Sequence, residues 1–73
     1  MNEFSFQLGW SQVRQRDTQE VREKLMNALG LELTNRASWG QRLKGIVEPK
    51  VSEAKAIEAI FAEYGIKEVW GAE

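Results

Sequence analysis

Between Thr34 and Lys50 the chain gathers Asn35, Arg36, Ser38, Gln41, Arg42, Lys44 and Lys50. Only one carboxylate, Glu48, falls between Arg36 and Lys50. These are cationic and hydrogen-bonding groups, and the chemistry their types and spacing suggest is binding. The charge distribution sharpens this. Residues 1–33 carry four basic and five acidic side chains, residues 34–57 five basic and two acidic, and residues 58–73 one basic and four acidic. A chain of net charge −1 can therefore still present a cationic face from its middle third.

Other chemistries are excluded by what is missing. The sequence has no cysteine and no histidine, which removes disulfides, thiolate and imidazole catalysis and most zinc sites. No pair of carboxylates sits in an apolar setting that would tune one as acid and the other as base. No glycine-rich phosphate loop and no cluster of metal ligands is present. The expectation is a protein that is not an enzyme, with no cofactor, metal or small-molecule substrate. At 73 residues it is one domain with a small core, for which a partner or a second copy helps. A secreted domain this small would ordinarily use disulfides, so a reducing cytoplasm is expected. No apolar run approaches the roughly 20 residues of a membrane span, and MNEFSFQLGW lacks the basic start and apolar stretch of a signal peptide.

Three helices and an arm are expected to position the basic segment. Phe4, Phe6, Leu8 and Trp10 alternate with Ser5, Gln7 and Gly9, a period of two that predicts a short strand or extended arm. Asp17 followed by Glu20 has the form of a capping box. The helix that follows carries Val21, Leu25, Ala28 and Leu29 on one stripe, with Met26 beside it and Gly30 at its left-handed end. Thr34 or Asn35 is suited to cap RASWGQRLK, in which Trp39 and Leu43 share the core-facing side and Gly45 makes the stop. Pro49 lies in an extended linker, 46–51. Ser52 is placed to cap EAKAIEAIFAEYG, whose apolar face is Ala54, Ile57, Ile60, Phe61 and Tyr64. Gly65 and Ile66 are expected to fold back over its end. Val69 and Trp70 in the tail are expected to pack on the N-terminal segment, with Trp10 and Trp70 as core or dimer contacts. The organisation is thus an arm over 1–16, a helical domain over 17–66 and a tail over 67–73, giving a mainly α bundle of three to four helices.

The order of these pieces resembles the Cro/repressor-type, or lambda-repressor-like, helix-turn-helix domains. The matching residues are Ala28-Leu29-Gly30 at the end of a supporting helix and Asn35-Arg36-Ala37-Ser38 at the start of a recognition helix. Lys44-Gly45 makes the stop and Pro49 sits in the linker. Ala56-Ile57 and Phe61-Ala62-Glu63-Tyr64-Gly65-Ile66 match the closing helix. The resemblance covers about residues 18–66 and is one of pattern.

It implies a small transcriptional regulator or phage-type repressor that binds double-stranded DNA, as a homodimer. It places Asn35, Arg36, Ser38, Gln41 and Arg42 toward base edges, with Lys44 and Lys50 on the phosphate backbone. Arginine can fork onto guanine and asparagine or glutamine onto adenine, and Gly40 would let a phosphate approach. The alternative expectation is a protein-interaction module on the same helical core that binds no DNA. The acidic net charge speaks for it, because small DNA-binding domains are usually basic.

Overall fold

The computed structural model describes residues 4–71. Four α-helices follow in order: α1 (Gln7–Ser11), α2 (Thr18–Ala28), α3 (Arg36–Lys44) and α4 (Val51–Glu63), with a 3-10 turn over Gln15–Asp17 before α2. No strand occurs among the described residues. The first three residues of the expected arm and the last two of the tail lie outside them.

The core is built on α2 and α4, which pack along one another. From α2 come Val21, Leu25 and the adjacent Leu29, and from α4 Ile57 and Phe61. These recur at helical spacing, so each helix turns one continuous apolar stripe inward. Met26 is also wholly buried, whereas Ala28, expected on the stripe, is exposed. Surface ties cross the same pair. Lys24 Nζ lies 3.1 Å from a Glu63 carboxylate oxygen, and the Tyr64 hydroxyl donates to Glu20 at 2.5 Å.

The ends of α2 and α4 close as their glycines require. Gly30 and Gly65 take φ of 71° and 76°. At α4 the Gly65 amide donates to the Ala62 carbonyl at 3.0 Å and the Ile66 amide to Phe61 at 3.1 Å. This is a Schellman closure that turns Ile66 back into the core.

The N-terminal segment corrects the expectation of a strand. Residues 7–11 form α1, and the reason is the lack of a strand to pair with. The first-turn amides find other acceptors: Gln7 donates to the Ser5 hydroxyl at 3.2 Å, Leu8 to the Gly71 carbonyl at 2.9 Å and Gly9 to the Val69 carbonyl at 3.0 Å. The tail therefore caps a five-residue helix that could not stand alone. Phe6 and Val69 are buried, and the rings of Phe6 and Trp70 meet edge-to-face with centroids 6.5 Å apart. The expected packing of the tail on the N-terminal segment is thus present, without a strand.

Two caps also differ. Asp17 makes no side-chain cap, because the chain enters α2 through the 3-10 turn and Glu20 is held instead by Tyr64 and Lys24. At α4 the cap position is Lys50 rather than Ser52, and Glu53 reaches back to accept from the Lys50 amide at 2.9 Å. No helix among the described residues is long and apolar enough to cross a membrane.

Candidate functional site

The basic segment folds into α3, none of whose residues is fully buried. Its start is set by Asn35, whose side-chain oxygen accepts from the Ser38 amide at 3.1 Å, the N-cap arrangement that satisfies one of the free first-turn donors. Its end is set by Gly45 at φ 76°, where the Gly45 and Ile46 amides return to the Arg42 and Gln41 carbonyls at 3.1 and 2.9 Å. Arg42 and Lys44 in the last turn complement the helix dipole.

The inner side of α3 is Trp39 and Leu43, both half-buried against the core. Trp39 meets Phe6 and Trp10 edge-to-face, with centroids 5.6 and 5.2 Å away. Residues 29–35 connect α2 to α3, longer than the roughly three or four residues of a compact helix-turn-helix. The two helices are accordingly not packed closely along one another, and α3 is seated through its aromatic side.

The outer side follows from helical spacing. Ala37 and Gln41 lie opposite Trp39 and Leu43, and Arg36, Gly40 and Lys44 recur every fourth residue as the stripe that flanks them. Arg36, Ala37, Gln41 and Lys44 are all exposed. A Cβ built on Gly40 would meet no atom within 4 Å. The result is a strip of helix with cations at both ends, an amide along its side and only small residues between. Arg36 makes no ion pair with any described residue and stands in the first turn, where the dipole disfavours a cation.

The structure separates the expected binding residues by what they already hold. Arg36, Gln41 and Lys44 stay exposed, Gln41 opposite the seated side and Arg36 and Lys44 on the flanking stripe. Asn35 is occupied by its cap, and Ser38 is half-buried beside it. Arg42 turns away to Glu53: Nη1 lies 3.1 Å from Oε1, and both side chains are only 18% exposed. The same oxygen takes the Lys50 amide, so Glu53 joins the end of α3 to the start of α4 and brings Lys50 alongside. The Lys50 amide, and after it the Arg42 guanidinium, hold the Glu53 carboxyl below the usual carboxylate range against the opposing effect of burial.

Residues not singled out from the sequence complete the surroundings. Thr18, Gln19 and Arg22 from the first turns of α2 line an open depression with Trp10, next to the ring that packs on Trp39. Ser5, read only as a polar position in an alternating stretch, is wholly buried behind α3. No group of histidine, cysteine, aspartate or glutamate suited to a metal ion occurs among the described residues. Comparison with protein-family models, with curated proteins and with solved structures finds no match to this chain, so a functional reading rests on the site itself.

Proposed function

We propose that this protein is a DNA-binding module in which α3 lies in the major groove, a binding protein and not an enzyme. The observation that carries the reading is the outer side of α3. It is an exposed helical strip bearing Arg36, Gln41 and Lys44 around Ala37 and Gly40, seated from behind by Trp39 and Leu43 and owing nothing to the core. An α-helix fits the major groove when no bulky side chain holds its backbone off. Arg36 and Gln41 carry the groups that read guanine and adenine edges. Lys44, and Lys50 from the next helix, supply phosphate contacts that fix the register. Asn35, Ser38 and Arg42 act one step back, holding the shape of α3 and its junction with α4. A homodimer on half-sites roughly 34–36 Å apart, working as a small cytoplasmic transcriptional regulator, completes the proposal.

A second reading has its own observation. Ile46 and Val51 are 65% and 73% exposed and flank the linker after α3, which favours a protein partner. Salt separates the two. With Lys44 and Lys50 neutralising phosphates, affinity for duplex DNA falls about 12-fold between roughly 50 and 200 mM salt. Fluorescence anisotropy against a random-sequence duplex pool measures this, with an Arg36→Ala/Lys44→Ala variant alongside. Steep salt dependence that is reduced in the variant supports the proposal. A folded protein that binds no duplex at the lower salt overturns it in favour of the protein-interaction module.

A further inference from the structure

α3 buries no residue fully and meets the core only through the half-buried Trp39 and Leu43, so other contacts must fix its position. Behind α3 stands Ser5, a polar side chain with no solvent exposure. Its hydroxyl donates to the Leu43 carbonyl at 2.9 Å, and the Phe6 amide donates to the same oxygen at 3.1 Å. Leu43 lies in the last turn of α3, where carbonyls have no partner within the helix. The N-terminal segment therefore supplies two donors to one end of α3 and, through Phe6 and Trp10, two ring faces to Trp39.

That segment is itself gripped by the other end of the chain. The Gly71 amide donates to the Ser5 carbonyl at 2.7 Å, and Leu8 and Gly9 return amides to the Gly71 and Val69 carbonyls. Gly9 is buried at the crossing. A Cβ there would lie 3.0 Å from the Val69 Cα and 3.3 Å from its carbonyl oxygen. These are backbone atoms, which cannot swing aside as a side chain could. Glycine at position 9 is what lets tail and segment approach this closely.

We infer that residues 5–10 and 66–71 form a two-ended clasp that sets the position of α3, with Ser5 and Gly9 as its positioning residues. Its consequence for DNA rests on the functional reading above, but the mechanical claim does not. The clasp also gives Phe6, Ile66 and Val69 to the core beside the α2–α4 stripes, but the Ser5 hydroxyl reaches only the Leu43 carbonyl and the Gln7 amide, so its removal acts on α3 and the N-terminal segment rather than on that core. The clasp is where the chain's two ends decide whether the outer strip is presented at a fixed angle.

The test is native-state amide hydrogen exchange, read residue by residue by NMR, on the full chain and on Ser5→Ala and Gly9→Ala variants. Ser5→Ala removes the hydroxyl while leaving every outer-strip residue in place. Gly9→Ala pushes on the tail from the other side. In both, amides 40–44 are expected to exchange at least about fivefold faster; in Ser5→Ala core amides of α2 and α4 stay within about twofold, whereas in Gly9→Ala the new Cβ also comes 3.4 Å from the Phe61 ring and a smaller acceleration of α4 accompanies that of α3. Unchanged protection of α3 in Ser5→Ala overturns the inference. So does an equal acceleration in all helices, which would make the clasp one part of a single cooperative unit. No DNA enters the measurement, so its failure is distinguishable from failure of the DNA-binding reading.

Discussion

Substituting Gly40 by alanine separates what the fold asks of that position from what a partner asks. Gly40 lies inside α3, outside the set of glycines with positive φ, and an added Cβ finds open space to 4 Å. Nothing in the structure requires glycine there. In a helix interior glycine costs roughly 0.5–1 kcal/mol relative to alanine, and the gain is realised only if the new methyl meets no obstacle. Gly40→Ala is therefore expected to stabilise the protein by about that amount. For a domain of this size 1 kcal/mol corresponds to roughly 4–8 °C, so the melting temperature rises by about 2–8 °C. Urea denaturation should move to a higher midpoint with the same slope.

Binding is expected to move the other way. The methyl falls between Arg36 and Lys44 on the outer stripe and holds the backbone away from a phosphate. A loss of about tenfold in duplex affinity matches the loss of one charge-assisted contact of roughly 1.4 kcal/mol. Circular dichroism melts and anisotropy on the same preparation read both effects. A lower melting temperature would refute the open, helical geometry of Gly40. A higher one with unchanged affinity would refute the outer stripe as the contact face. A more stable protein that binds less well is what the proposal demands.

Further expectations address the remaining parts of the site and core. Arg36→Ala/Lys44→Ala should leave stability within about 0.5 kcal/mol and, with Lys44 the phosphate contact of the two, reduce the salt slope of duplex binding by about 1, measured by anisotropy across a salt series. Glu53→Ala removes the acceptor shared by Lys50 and Arg42 and should cost about 1–2 kcal/mol by urea denaturation. Because the Glu53 carboxyl is held below its ordinary value, its contribution is present above the unfolded carboxylate range and lost as pH falls through the folded one. Stability of the parent should therefore fall more steeply than that of Glu53→Ala on acidification below about pH 4.3. Phe61→Ala empties the centre of the core, where Phe61 is fully buried, and should cost about 3–5 kcal/mol, enough to unfold much of a domain this small.

How legible all this is from sequence depends on whether the signal is local. Asn35 and Gly45 bracket α3 because capping and left-handed closure are decided within one turn of chain, and the structure has both where the residue types predict. The stripes of α2 and α4 are legible for the same reason. The N-terminal segment is not, because Phe4, Phe6, Leu8 and Trp10 satisfy a period of two while Phe6, Gly9, Trp10 and Val13 satisfy a helical one. Pattern alone does not choose between them. The choice is made by the tail, whose carbonyls accept the Leu8 and Gly9 amides from some sixty residues away. Likewise the Asp17–Glu20 pair reads as a capping box only until Tyr64 takes Glu20. Arg42 looks like a binding residue from its type and loses that freedom to Glu53, a pairing across the linker that spacing does not announce. The outer strip was legible in its charges but not in its emptiness, since open space at Gly40 is a property of the folded chain.

The division of labour within α3 has a consequence for how such a surface can change. Trp39 and Leu43 seat the helix, Asn35 and Gly45 bound it, and Arg42 fixes its end to α4, so these five positions answer to the fold. Arg36, Ala37 and Gln41 answer to nothing in it and Lys44 only to the helix dipole, since exposed helix positions tolerate substitution at little cost. Under the DNA-binding reading, those four positions can therefore be altered to change what is recognised while the α2–α4 core is left untouched. The same reasoning limits the freedom of Gly40 to the partner alone. An exposed strip on a helix seated only through Trp39 and Leu43 is a surface with little folding constraint on its sequence, and Arg36, placed where the helix dipole disfavours it, is the residue there that folding explains least.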